Sequence, residues 1–320
     1  MAINNTGVSG TPGAALPPRA PLTAPSSRWG EKVIQGLLAF CAVLSVAITF
    51  AIVFSLIEPA LHFFGEVPLD DFLFGTDWAP TFNPPTFGVL PIVTGTLLIT
   101  FWGLVVAIPM GLAAAIFLSE YASPRVRKTV KPILEVLTGV PTVAIGFFAL
   151  FFLRPLLEDV LPFLSWTGPQ AAGVAGLAVG LMVVPIIASI SEDAMRAVPS
   201  GLREAAYGLG ATKMRVATRV VFPAALSGIV AAIVLGASRA VGETMIVLLA
   251  AGASPNLTLG FTDSVQTMTA FIGQTATGDI ATGTTTYYTI FAVGLLLFVM
   301  TLVLNMLSIR LVRKYREVYD

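Results

Sequence analysis

Six long stretches of this chain carry almost no charge, and their length limits what the chain can become. Val33–Ile57 is 25 residues without a single charge. At about 1.5 Å per helical residue it spans a hydrocarbon core of about 30 Å. It also exceeds the roughly 7–15 residues of a signal-peptide core, so it is expected to stay as a first helix. Further apolar runs follow at about 89–118, 132–157, 171–190, 224–252 and 287–309. The composition agrees: 56% of the residues are apolar and 11% are charged, against about 25% charged in a soluble domain. The expected class is an all-α polytopic membrane protein with six transmembrane helices.

The segments between the runs differ in charge, and that difference sets an orientation. Lys and Arg number eighteen. Three lie before the first helix (Arg19, Arg28, Lys32) and four in the second-to-third loop (Arg125, Arg127, Lys128, Lys131). Five lie in the fourth-to-fifth loop and four at the end (Arg310, Arg313, Lys314, Arg316). The alternate loops hold none, and only Arg154 and Arg239 break the pattern. By the positive-inside rule, both termini and the basic loops are expected in the cytoplasm. Residues 1–32 then read as an N-terminal tail; the stretch up to residue 28 is too poor in large apolar residues to fold. Residues 33–57 are the first helix and 58–88 an acidic, aromatic extracytoplasmic segment. Residues 89–312 form a core of five more helices, with a charged loop at 191–223, and 313–320 are a cytoplasmic tail. The polar stretch FTDSVQTMTAFIGQTA before the last run is read as a short amphipathic or re-entrant helix.

Several chemistries are excluded at this level. One cysteine (Cys41) and one histidine (His62) leave neither a disulfide framework nor a thiolate metal site. No Gly-Lys-Ser or Gly-Lys-Thr occurs, so there is no P-loop. GLGATK at Gly208 to Lys213 lacks the third glycine and the preceding strand of a nucleotide fingerprint.

Two constellations remain. The first is PSGLREAAYGLGATKMRVATRVVFP, Pro199 to Pro223. Pro199 and Ser200 suit a helix start. Ala205 and Ala206 give a low surface that another protein can approach, and Gly210 can end the helix in a left-handed conformation. The residues fit a docking element for a soluble partner, or an amphipathic connecting helix on the bilayer surface. The second is Arg239 and Glu243 in the fifth run. Four residues apart, they share a helix face. An arginine at mid-membrane costs at least about 2.5–3.5 kcal/mol, so it must face a partner or an aqueous path. Its planar donors suit an oxyanion, and Glu243 can neutralise it when no anion is bound. A structural ion pair that fixes helix packing fits the same two residues. Thr244 is a weaker neighbour. Glu135 is a further acid for the path, with pairing to Lys131 as the alternative. Gly139-Val140-Pro141-Thr142 reads either as a break that exposes backbone groups or as a kink. Arg154, near the outer face, is expected to snorkel, and Cys41 and the nine methionines to pack.

Glu204-Ala205-Ala206, three residues, Gly210, nine residues, then Val220-Val221-Phe222-Pro223 resembles the EAA loop of importer-type ABC permeases. RAVGETM at Arg239, GVLPIVTGTLL at Gly88, LEVLTGVPTVAIGF at Leu134, TMTAFI at Thr267 and the ending FVMTLVLNMLSIRLVRK resemble the phosphate-specific permeases. The DWAPTFNPPTFG stretch narrows this to their PstC-type subunit. The resemblance covers about residues 70–315. It implies the ABC importer permease fold in a prokaryotic cell membrane. It also implies coupling to an ATPase through Glu204, Ala205, Ala206 and Gly210, and a substrate path holding Arg239 and Glu243. The implied partners are a second, PstA-type permease, two ATPase subunits that bind the ATP, and an extracytoplasmic phosphate-binding protein. The chain itself would be non-catalytic and hold no cofactor. Gln274 stands where related chains often carry an acidic residue, and it is assigned no role. Permeases for other oxyanions (sulfate, molybdate) and ion-coupled secondary transporters are the alternatives; the latter would need no EAA loop.

Overall fold

A computed structural model describes residues 29–314, with side chains through Arg310. The tail up to residue 28, with Arg19 and Arg28, lies outside the described residues. So do Arg316 and the side chains of Arg313 and Lys314. The chain divides at Ala51 into two units. The first contributes the opening part of helix α1 (Trp29–Glu66), whose side chains from Trp29 to Ala51 are all exposed and mostly apolar. That surface suits lipid rather than water.

The second unit begins with the rest of α1. Short helix α2 (Leu69–Phe74) and a two-residue hairpin follow, β1 (Trp78–Ala79) pairing antiparallel with β2 (Thr86–Phe87). The acidic segment is held down by its aromatics. Phe63, Phe72, Trp78 and Phe87 are joined edge to face, and Phe271 closes the cluster against Trp78 at 4.8 Å. Helix α3 (Leu90–Ile116) ends in a wide π turn (Phe117–Tyr121). After it come α4 (Pro124–Leu137), then α5 (Thr142–Phe148), which passes through a second π turn into α6 (Arg154–Val160). Next are α7 (Ala172–Arg196) and α8 (Ser200–Gly208). A bent run follows, of α9 (Lys213–Val216), a π turn and α10 (Phe222–Ala224). The last elements are α11 (Leu226–Val241), α12 (Met245–Ala250), α13 (Met268–Thr277) and α14 (Thr285–Lys314).

Among the described residues four helices are long and apolar enough to cross a membrane, or up to six if each of two bent pairs counts as one span. The first bend modifies an expected run; the second falls at the expected start of one. The third run does not begin a straight helix at Pro132: α4 meets α5–α6 at 89° across Thr138–Pro141. Pro141 has no N–H to continue the ladder, and α4 has one basic and one apolar face, which suits an interface better than a hydrocarbon core. The fifth region bends by 73° at Ala225, two residues after Pro223.

Helix α7 is the centre. Two thirds of its apolar stretch (67%) is buried, against 28% for the α3 span and 11% for α14. It reaches α3 so closely because glycines line the contact. A Cβ on Gly180 would stand 2.7 Å from the Gly103 carbonyl oxygen, and one on Gly176 would stand 2.5 Å from the Trp102 Cβ. Small residues allow this approach where lipid supplies no hydrophobic force between helices. Ile99, Val174, Val179, Ile187 and Ile246 fill the middle of the bundle. Met195, Val198, Val216, Val221 and Ile229 seal the end that carries the basic segments.

Candidate functional site

The fifth region carries Arg239 and Glu243 as an ion pair, but not on one continuous helix. Helix α11 stops at Val241 and α12 starts at Met245, leaving Gly242, Glu243 and Thr244 as a break. Glu243 itself stabilises the break. Its Oε1 accepts from the backbone N–H groups of Met245 and Ile246 at 3.1 and 3.3 Å, which begin α12. Its Oε2 accepts from Arg239 Nη1 at 2.8 Å. The carboxylate is almost wholly buried, 2% exposed, while the Arg239 side chain is 43% exposed. One carboxylate thus holds one edge of a guanidinium whose side chain is otherwise partly open to its surroundings. Thr244 is half-buried, its hydroxyl directed at the Gly242 carbonyl at 3.4 Å.

Helix α13 braces this break. Thr269 donates to the Glu243 carbonyl at 2.6 Å, and Thr267 caps the helix by accepting from Ala270 N–H at 3.1 Å. The Met268 N–H donates to Thr96 of α3 at 3.0 Å. The polar stretch before the last run is therefore a short helix of ten residues, too short to span. Gln274 on it accepts from Gln266 at 2.7 Å, and both line a cavity of about 400 Å³ with Trp78, Thr275 and Asp279.

Glu135 is not brought to this site. It is exposed on α4, and the pairing with Lys131 is not made. Lys131 instead reaches Glu192 at 2.7 Å and also bonds Asp193, both on α7. Burial alone would lower the Lys131 ammonium, but the hydrogen bonds to Asp193 and Glu192 outweigh it and hold the group above its ordinary value. Arg154 does not snorkel. Its guanidinium lies 4.1 Å over Trp166, donates to the Gly168 carbonyl at 2.7 Å and to Glu158 at 2.9 Å, and pins the loop before α7. Cys41 is exposed on α1 rather than packed.

Helix α8 carries the other constellation. Glu204 and Ala205 face outward and are exposed. Ala206 is half-buried and packs inward on the Met195–Val198 cluster. Gly210 follows with φ of +78°, a conformation that glycine adopts without strain. Leu209 beside it is 90% exposed, and Tyr207 43%. The outward surface of α8 therefore combines the Glu204 carboxylate with small and apolar groups.

Two positions that sequence reasoning passed over are prominent. Glu192 is fully buried and meets Lys131 of α4 together with Arg127 at 3.5 Å and Arg196 at 3.7 Å. Arg203 of α8 meets Glu120 at 3.2 Å. Glu192 continues the buried stripe Ile187, Ala188, Ser191, Met195 of α7, so its spacing was a signal that it faces inward.

The chain is thus a helical bundle with several helices long and apolar enough to cross a membrane, a broken, ion-paired segment and an outward helix between them. The family model that describes binding-protein-dependent transport system inner membrane components matches residues 107–317, about two thirds of the chain, and the chain belongs to that family. A probable ABC transporter permease, YqgH of Bacillus subtilis, is 35% identical over 88% of this chain and 90% of its own. The phosphate transport system permease protein PstC of Haemophilus influenzae is 30% identical over 90% of this chain and 95% of its own. PstC of Xylella fastidiosa is 30% identical over 86% and 91%. Among solved structures, a chain of a bacterial alginate ABC transporter in complex with its alginate-loaded periplasmic protein matches at a TM-score of 0.60, covering 92% of this chain and all of that one, at 17% identity. A chain of the inward-facing MetNI methionine transporter matches at 0.51 and 21% identity, covering 72% and 95%. At such identities the likeness is one of fold.

Proposed function

We propose that this chain is the PstC-type permease of an ATP-driven importer of inorganic phosphate. Six spans cross the membrane, with both termini and α8 in the cytoplasm. A second, PstA-type permease completes the path, two ATPase subunits bind the ATP, and an extracytoplasmic phosphate-binding protein delivers the anion. The chain itself catalyses nothing and holds no cofactor. The naming of its relatives supports the substrate; the bias of sixteen of eighteen basic residues to one set of segments supports the orientation.

The observation that carries the mechanism is the half-exposed Arg239 at the break between α11 and α12. Phosphate approaching Arg239 meets free guanidinium donors, while Glu243 competes for the same charge. A path must release what it binds, and a fixed internal carboxylate keeps the anion from being held too long. Docking of ATPase subunits against Glu204, Ala205 and Gly210, with Ala206 supporting the helix from behind, links nucleotide-driven closure to the spans. Thr244 lies beside the anion's route. Glu135 is placed on the path as an exposed acid of α4, apart from the Arg239 break.

The test is uptake of labelled phosphate by cells deleted for this chain and complemented with it, under excess sulfate. Restored, sulfate-resistant uptake together with copurification of an ATPase is the expected result. Uptake that sulfate abolishes would assign another oxyanion, and an absent ATPase would remove the importer reading.

A further inference from the structure

We infer that Arg203 clamps α8 to the α3–α7 pair and is the positioning residue through which a displacement of α8 reaches the path; this rests on the reading of α8 as the coupling helix. The covalent link from α7 to α8 is short, Ala197 to Pro199, and α8 turns away at Pro199. A link of three residues keeps the two helices close but does not by itself fix the angle between them. Arg203 does. Its Nη1 donates to the Val198 carbonyl at 2.6 Å and its Nη2 to the Met195 carbonyl at 2.7 Å. The Met195 carbonyl lies in the last turn of α7 and the Val198 carbonyl in the link just beyond it, where the helix dipole favours a cation. The same guanidinium meets Glu120 Oε1 at 3.2 Å from Nη2 and 3.4 Å from Nε. Glu120 is 6% exposed, lies in the π turn that ends α3, and accepts from Ser119 as well.

One planar fork therefore joins three elements that no single backbone segment joins, which a lysine could not do with equal geometry. A second arginine reinforces the anchorage. Arg127 of α4 donates to the carbonyls of Leu118 and Ser119, the residues just before Glu120, at 2.9 and 3.2 Å. Beyond the clamp, α3 and α7 are locked by the glycine contacts at Gly103, Gly176 and Gly180. A movement imposed on α8 then turns the pair as one body, and the pair reaches the break through Thr96, Met268 and Thr269. Without the fork, α8 swivels at Pro199 and the movement is spent there.

The experiment uses the assembled transporter in lipid nanodiscs and vesicles. With Cys41→Ser as background, spin labels at Gly201 and Phe117, both exposed, report the distance from α8 to the end of α3. We expect a narrow distribution in the parent, retained under ATP and vanadate, and a broad one in Arg203→Gln and in Glu120→Gln. Phosphate moved per ATP hydrolysed should fall about tenfold in Arg203→Gln with the ATPase still bound, and less in Arg203→Lys, as removal of hydrogen bonds to a charged group implies. An unchanged narrow distribution in both variants, or loss of the ATPase subunit from Arg203→Gln, overturns the clamp. If the parent complex moves no phosphate, the substrate reading fails while the distances still decide the clamp.

Discussion

Arg239 and Glu243 stand one helical turn apart in sequence yet meet opposite surroundings, 43% against 2% exposed. The difference comes from the backbone: the chain breaks between them, and Glu243 spends one oxygen on the N–H groups that open α12. Their pairing was legible in the four-residue spacing; the break was not, because Gly242 and Thr244 are ordinary occupants of a membrane helix. Glu192 is the opposite case, a buried acid with one partner on its own helix, Arg196, and two on α4, Arg127 and Lys131, the latter 61 residues away. Its Oε1 has no hydrogen-bond partner and is balanced only by the charges of Arg127 and Arg196. Replacing Glu192 by alanine leaves those cations uncompensated. Breaking a buried pair costs about 3–5 kcal/mol. Lys131 and Arg127 remain about a fifth exposed and so partly hydrated. Discounting for that, we expect about 2 kcal/mol, read as a lowered thermal transition of the purified chain and faster proteolysis at α4. A transition equal to the parent's would show that the cluster contributes nothing.

At the scale of elements, the apolar runs located the long helices, since length and hydropathy act locally. They did not locate the 89° turn before α5, because Ile133, Leu134, Val136 and Leu137 extend the apolar count while belonging to a two-faced helix. Nor did they show that α3 and α7 form the central pair, which depends on glycines distant in sequence. Gly180→Val tests that pair. Even its Cβ would approach the Gly103 carbonyl to 2.7 Å, so the helices must separate. We expect a destabilisation of about 1–3 kcal/mol in a thermal-shift measurement. Gly36→Val is the control, since a Cβ there meets nothing within 4 Å. Equal behaviour of the two variants would mean that the glycine contact does not hold the pair.

For the whole molecule, the distribution of charge says more than its sum, which is zero. Basic residues gather where α4, the end of α7, α8 and α9 meet, and there they build the network of Glu120, Glu192, Arg127 and Arg203. That end is tied by several ion pairs between helices, whereas the break at Glu243 receives one hydrogen bond from α13, from Thr269. Phosphate is proposed to pass Arg239. The most direct measurement is ATP-driven uptake of labelled phosphate by vesicles holding the assembled transporter, parent against Arg239→Gln, at equal ATPase content. The account predicts a fall of at least about tenfold, the loss expected when a charged donor to an anion is removed. Uptake equal to that of the parent would contradict it and leave Arg239 and Glu243 as a structural pair.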